Sequence, residues 1–348
     1  MAGRRQAEIV VVGAGVMGAA TARALAAAGR EVVLLERFRV GHRHGSSHGA
    51  ARIFRLSYPD ATYVGMMQAA LPLWRLLEEE TGETILTVTG GLDGGVGLDR
   101  NVAAMEARGV AFEHIDGAEV AARFPALAGE RDESFLFQPD GGIVAADVAW
   151  RAFVSSAVAH GGELADETRV LAVRPGDDGV EVDTEEGGYL ARMAVVTAGA
   201  WARDLLAPAG VPLAVRPTRE TVAYFRIDES LPVPTLLEWA DGFGYALPNP
   251  GAGIKAGEHG IGPEIDPDVE GEPDEASVAR LSAWIRRRYP AANPEPHLVE
   301  TCLYTNTADE SFILERRGRL VVGSPCSGHG FKFAPLIGER LAALAGAG

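Results

Sequence analysis

The sequence predicts an α/β fold in which a Rossmann-like dinucleotide-binding domain is interrupted and later resumed, and a second domain is rich in antiparallel sheet. Three observations lead there. A continuous β-branched run enters a glycine fingerprint close to the N-terminus. Another apolar strand, Met193 to Thr197, runs into the small-residue turn Ala198-Gly199-Ala200. Between and beyond these, stretches of strand-like alternation are broken by Gly and Pro.

The first unit is "EIVVVGAGVMGAATARALAAAGREVVLLER", Glu8 to Arg37. Ile9 to Val12 reads as a strand buried on both faces. Gly13, Gly15 and Gly18 complete G-x-G-x-x-G, Ala19 to Ala28 is helix-forming, and Gly29 closes the helix. Val32 to Leu35 is a second strand, ended by Glu36. Gly13 makes the tight turn, Gly15 lets backbone approach a pyrophosphate, and Gly18 lets helix and strand pack closely. The helix N-terminus faces the phosphates, and Glu36 suits a ribose hydroxyl. An acidic group there disfavours a 2′-phosphate, so NAD or FAD is expected rather than NADP.

The following stretch, "GSSHGAARIFRLSY" (Gly45 to Tyr58), holds His48, Arg52 and Arg55. A simple NAD dehydrogenase has no need of such a loop, and on a helix the two arginines would share a face. Met66 to Glu80 reads as an amphipathic helix kinked at Pro72. "NVAAMEARGVAFEHIDGAEVAARFP" reads as two short helices around a strand, and a helix starts at about Ala146. Strands are expected over about Arg169 to Arg174 and Val180 to Asp183. Residues 266–277 are acidic and proline-bearing, a surface loop, followed by the helix "EASVARLSAWIRRRYP". The expected division is 1–80, 141–215 and 315–348 for the nucleotide-binding domain, with 81–140 and 216–314 for the second domain.

Composition excludes several partners. The net charge of −16 over 348 residues argues against a nucleic-acid backbone, which needs clustered Lys and Arg. The N-terminal apolar run breaks at Gly13 without a small-residue cleavage site, so it reads as a strand and not a signal peptide. No apolar stretch is long enough to span a bilayer. Two cysteines, Cys302 and Cys326, are too few for a disulfide framework, and a cytoplasmic location fits. No metal is expected.

Near the C-terminus stands "CSGHGFKF", Cys326 to Phe333, with one lysine, Lys332, between phenylalanines in a glycine-bearing stretch. A turn whose lysine snorkels to water along its own stem is one reading. The wider sequence favours another. Gly13 to Gly18, Gly45 to Arg55, "GIKAGEH", "CLYTNTADESFIL" and "CSGHGFKF" follow in this order. Together they resemble the monomeric sarcosine oxidase family, with its N-methyltryptophan oxidase and pipecolate oxidase relatives. These are flavin amine oxidases of the D-amino-acid-oxidase fold group, and the resemblance covers nearly the whole chain. The chain ends soon after "GERLAALAGAG", earlier than that family leads one to expect.

The resemblance implies an FAD-binding domain of the glutathione-reductase type, FAD linked through sulfur to Cys302, and Cys326 as packing. It implies contacts to the cofactor from Gly13, Gly15, Val16, Met17, Gly18, Glu36 and Arg37. Ser46, His48, Arg52, Val170, Ala198, Gly199 and Trp201 follow. Cys302, Gly328, Gly330, Phe331 and Lys332 complete the set, with the two glycines letting backbone approach the flavin ring. Arg55 and Lys332 match the pair that holds a substrate carboxylate, and Tyr245 and Tyr304 match pocket tyrosines. His259 matches a histidine near the substrate. Lys255 and Arg52 match the basic pair facing the flavin, with Lys255 stabilising superoxide as oxygen takes its first electron. Lys255, His259, Arg52 and Tyr304 are thus the expected catalytic set. The implied reaction is oxidation of an N-methyl or cyclic amino acid, such as sarcosine, to an imine, with O2 reduced to H2O2 by a monomeric enzyme. The rival readings are a flavin oxidase or dehydrogenase of the same fold with a specialised biosynthetic substrate, an NAD-dependent dehydrogenase, and a non-catalytic binding protein that keeps the fold.

Overall fold

The computed structural model describes residues 4–239 and 244–346. Its first sheet has eight strands and is built around the glycine fingerprint. Arg5–Val12 pairs in parallel with Val32–Leu35 on one side and with Gly187–Val196 on the other. Glu163–Ala165 extends the parallel array beyond Val32–Leu35, and Leu320–Ser324 extends it beyond Gly187–Val196. The hairpin Val170–Pro175/Val180–Thr184 and the strand Ile313–Arg317 add antiparallel edges. Both faces are covered, which is why Ile9 to Val12 reads as unbroken apolar sequence. The helices Val16–Ala27, Ala146–Ala159 and Ala334–Gly346 pack on one face with Ile9, Val11 and Leu34. On the other face Val10, Val12 and Val33 meet Ala202 and Leu206.

Two glycines are obligatory at the fingerprint. Gly13 has φ +98°, and a Cβ there would stand 2.8 Å from the Thr197 carbonyl oxygen. A Cβ on Gly18 would lie 1.9 Å from the Gly13 oxygen, so helix and turn close only on glycine.

The second sheet also has eight strands, drawn from residues 91–138 and 216–306. Its order is Leu298–Asn306, Arg216–Phe225, Gly253–Glu258, Gly244–Asn249, Thr235–Trp239, Gly91–Gly95, Ser134–Gln138, Glu113–Asp116. All neighbours are antiparallel except Thr235–Trp239 beside Gly91–Gly95. Helix Glu275–Arg288, capped by Asp274, lays Leu281 and Ile285 into the core behind this sheet. Helices Leu98–Glu106 and Gly117–Arg123 flank Glu113–Asp116, as the sequence predicts. Helix Ala61–Thr81 carries Pro72 inside it.

One local expectation is overturned. Arg52 does not sit on a helix with Arg55. Ala51–Phe54 is a strand, paired antiparallel with Gly142–Ala145 in a three-stranded sheet that Leu86–Val88 completes. Side chains alternate along a strand, so residues three apart diverge. Arg52 turns to the loop before the strand, and Arg55, just past its end, turns to Ser57. The ladder to Gly142–Ala145 supplies backbone partners that outweigh local helix spacing.

Candidate active site

A cleft of about 770 Å3 runs from the glycine fingerprint, between the two large sheets, to Lys332. Every residue named above for cofactor or substrate lines it except Gly18, which is tucked beneath Gly13.

At the fingerprint end, Glu36 is buried and already engaged. Its carboxylate accepts from the Ala14 amide at 2.9 Å and from the Phe38 amide at 3.0 Å, and His42 stands 3.3 Å away. Burial pushes this carboxyl up, but His42 and the two amides outweigh it and hold it below the usual range. Trp150 Nε1 donates to the Ala14 oxygen at 2.7 Å, and Ser47 Oγ accepts from the Val16 amide at 3.0 Å, fixing the loop. Trp201 and Arg37 both reach Asp268, so the loop after Gly260 is fastened across this end.

The middle of the cleft is cationic. Arg52 donates to the backbone oxygens of Ser46 (3.0 Å), His48 (2.6 Å) and Ala51 (2.9 Å), and lies 5.5 Å over the Phe331 ring. Lys255 projects from the strand Gly253–Glu258 and is 5% exposed. Among the described residues no hydrogen bond holds its ammonium; its near neighbour is the Tyr224 ring, at 5.8 Å. Burial first, and Arg52 second, push its pKa down to about 7. His48, pushed down to about 3 by burial and then by Arg52 and Lys255, has a buried Nδ1 without a hydrogen-bond partner among the described residues. Cys302 lies in the wall with its thiol 3.8 Å from the Leu303 oxygen. Cys326 also lines the cleft, where its sulfur accepts from the Thr305 amide at 3.3 Å. A buried ammonium and a buried imidazole nitrogen without hydrogen-bond partners among the described residues are costly unless a polar group of something else meets them.

At the far end, Lys332 is 6% exposed, so the snorkelling reading of its motif is excluded. Its ammonium donates to Tyr58 Oη (3.0 Å) and the His329 oxygen (2.8 Å), while Trp74 Nε1 grips its carbonyl at 2.8 Å. Burial, then Arg55 and Arg52, push its pKa well down. Arg55 stacks 4.1 Å over the Tyr58 ring and donates to the Ser57 oxygen. Two cations therefore flank one tyrosine. Tyr245 and Tyr304 stand in the same cleft; burial pushes Tyr245 up to about 12 and Tyr304 well up, keeping both as neutral hydroxyls. His259 pairs with Glu310 at 3.2 Å, and the Glu310 carbonyl meets His329 Nε2 at 3.1 Å.

The two C-terminal glycines also have structural tasks of their own in the cleft wall. A Cβ on Gly328 would strike the Tyr304 ring at 2.2 Å, and one on Gly330 would strike the Pro325 oxygen at 1.7 Å. They are required by the turn and by Tyr304. Tyr58, Tyr63, Phe312, His329, Trp239 and Asp93 also gather at this end, and the sequence gives none of them a role. Tyr58 has a linear signal, closing the "RIFRLSY" stretch three residues after Arg55. His329 stacks on Phe312 at 4.8 Å, but they come from separate segments whose meeting has no local signature.

These surroundings fit FAD. The fingerprint turn and Glu36 suit its adenosine and pyrophosphate, and His48, Arg52 and Lys255 offer donors farther along the cleft. The chain matches the FAD dependent oxidoreductase family over residues 8–344 and belongs to it. It is similar to the peroxisomal sarcosine oxidase of Mus musculus, 34% identical over 96% of this chain and 90% of that protein. Monomeric sarcosine oxidase of Bacillus sp. (strain B-0618) is 32% identical over 97% of this chain and 92% of that protein. Among solved structures, NikD, an unusual amino acid oxidase essential for nikkomycin biosynthesis, superposes with a TM-score of 0.90 at 29% identity, covering 99% of this chain and 94% of that one. Among the described residues no helix is long and apolar enough to cross a membrane.

Proposed function

We propose that this FAD-dependent enzyme oxidises a secondary amino acid, N-methyl or cyclic, to its imine and uses O2 as electron acceptor. The observation that carries the reading is the convergence of two buried cations, Arg55 and Lys332, on Tyr58 in the cleft that begins at the dinucleotide fingerprint. FAD, when bound, supplies acceptance of hydride from the carbon beside nitrogen and return of the electrons to O2 as H2O2.

The chain's own residues do the rest. Arg55 and Lys332 hold the substrate carboxylate, and two charges offset its desolvation better than one. Tyr58 sets their separation. A held carboxylate fixes which C–H bond faces the cofactor. Only a neutral amine has the lone pair that drives C–H cleavage, and the adjacent cations lower the amine pKa. Tyr245 and Tyr304 border the substrate on the side of His259, and Leu237 and Trp239 line the same cleft. Lys255 places a positive charge where a superoxide anion develops. In this reading residues 1–80, 141–215 and 315–348 hold FAD and the remainder holds the substrate. The enzyme works as a cytoplasmic monomer on a small amino acid.

The same reading makes Cys302 the point of covalent attachment, since its thiol lies in the cleft wall within the charge field of Lys255. Acid-precipitated protein should retain its yellow colour, and a denaturing gel should fluoresce at the protein band. Cys302→Ser should release the colour, and Cys326→Ser should retain it. Complete loss of colour from the acid-precipitated wild type would remove the linkage from the account.

A further inference from the structure

Asp93 is a carboxylate that the reaction, as described, does not use. It stands in the strand Gly91–Gly95, 2% exposed, with Leu92 packed in the core beside it. An apolar side chain would be the ordinary occupant, because a buried carboxylate is retained only where partners offset its desolvation. Those partners come from the substrate end of the cleft. Trp239 Nε1 donates to Asp93 Oδ1 at 3.0 Å, and Arg55 Nη1 lies 4.0 Å from the same oxygen. Trp239 also stacks on the Arg55 guanidinium at 5.6 Å. Ser57, whose backbone carbonyl accepts from Arg55, is held in turn through its Oγ, which accepts from Asn101 Nδ2 at 2.8 Å. Burial dominates and holds the Asp93 carboxyl above its usual range, while Arg55, Trp239 and Ser57 act in the opposite direction and limit that rise. Trp239 and Arg55 line the cleft and Asp93 does not, so Asp93 touches no substrate and acts through them.

We infer that Asp93 is a positioning and specificity residue that offsets the charge of Arg55 from behind, so that the clamp accepts a single carboxylate and disfavours a second negative charge. The inference rests on Arg55 holding the substrate carboxylate. The guanidinium is held in place without Asp93, by the Tyr58 stack and the Ser57 oxygen. Removing the Asp93 charge therefore leaves the arginine where it is and exposes its full charge to the ligand.

The test is binding of acetate and malonate to the flavin-loaded enzyme, followed by perturbation of the flavin spectrum, in wild type, Asp93→Asn, Arg55→Met and the double variant. Asparagine keeps an oxygen for Trp239 and removes only the charge. Asp93→Asn is expected to tighten acetate binding about tenfold, from loss of one charge several ångströms away in a poorly screened site. Malonate, doubly charged, gains more than acetate. Arg55→Met weakens both, and adding Asp93→Asn to it restores little, the non-additivity expected of residues that act together. A merely structural role predicts the opposite sign, looser binding on loss of Asp93. If Arg55→Met binds acetate as wild type does, the carboxylate clamp itself is wrong. If Arg55→Met weakens binding but Asp93→Asn leaves it unchanged or looser, the clamp stands and the role given to Asp93 is overturned. An equal gain with and without Arg55 equally overturns it. Should Asp93→Asn fail to hold flavin, Asp93→Val removes the same charge and is read by the same criteria.

Discussion

Lys255→Met is expected to slow reoxidation of the reduced enzyme by O2 by about 10²–10³-fold, while anaerobic reduction by substrate stays within a small factor of wild type. Among the described residues the buried ammonium has no hydrogen bond or ion pair, and Glu300 and Asp147 act on it only at longer range, so its charge is available to an anion forming in the cleft. Loss of one preorganised charge at such a centre costs about 3–4 kcal/mol by analogy with oxyanion-hole donors. Methionine has similar length and preserves packing against Tyr224, which separates charge from fold. Stopped-flow absorbance with and without O2 distinguishes the outcomes. If reduction collapses while reoxidation is unchanged, Lys255 belongs to the amino-acid site; if neither changes, its charge is idle. The pH dependence has a definite sign. With a pKa pushed down to about 7, Lys255 carries its charge below that pH and loses it above. The reoxidation rate should fall as pH rises through about 7 or somewhat higher, since a nearby anion favours the protonated lysine. In Lys255→Met that fall should be absent.

The second large effect concerns the carboxylate clamp. Arg55→Met or Lys332→Met should each weaken acetate binding by roughly 30-fold or more. Truncating one partner of a desolvated charge pair costs about 2–5 kcal/mol. The two should differ in their side effects. Lys332 also anchors Tyr58 and the His329 carbonyl, so its loss frees the tyrosine that spaces the cations. Arg55 is backed by Asp93, so Arg55→Met leaves a buried carboxylate with Trp239 and Ser57 alone and should lower the melting temperature as well. Equal acetate affinity in wild type and both variants would contradict the assignment.

How much of this was readable in the linear sequence depends on how local each feature is. The strand Val32–Leu35 and the helix Ala146–Ala159 follow from hydrophobic runs and breakers within a few residues, and both stand where expected. The two helices around Glu113–Asp116 do so too. Arg52 and Arg55 show the limit. Their spacing permits a helix, and only the distant strand Gly142–Ala145 makes the segment a strand. The group of Tyr58, Asp93, Trp239 and His329 is assembled from four segments by the pairing of Gly91–Gly95 with Thr235–Trp239 and by the turn before Lys332. Nothing within any one segment announces that meeting. Lys332 lies between these cases: its glycine-bearing surroundings are visible in sequence, whereas its burial depends on Tyr58 and Trp74 arriving from elsewhere.

The most direct test of the account is to incubate the purified enzyme with sarcosine, N-methyl amino acids of larger side chain, L-proline and L-pipecolate, and to follow O2 consumption and H2O2 release together. At least one secondary amino acid should bleach the flavin anaerobically and, in air, yield one H2O2 for each O2 consumed. Bleaching without peroxide would show a dehydrogenase that passes its electrons elsewhere, and no bleaching by any secondary amino acid would contradict the proposed function outright.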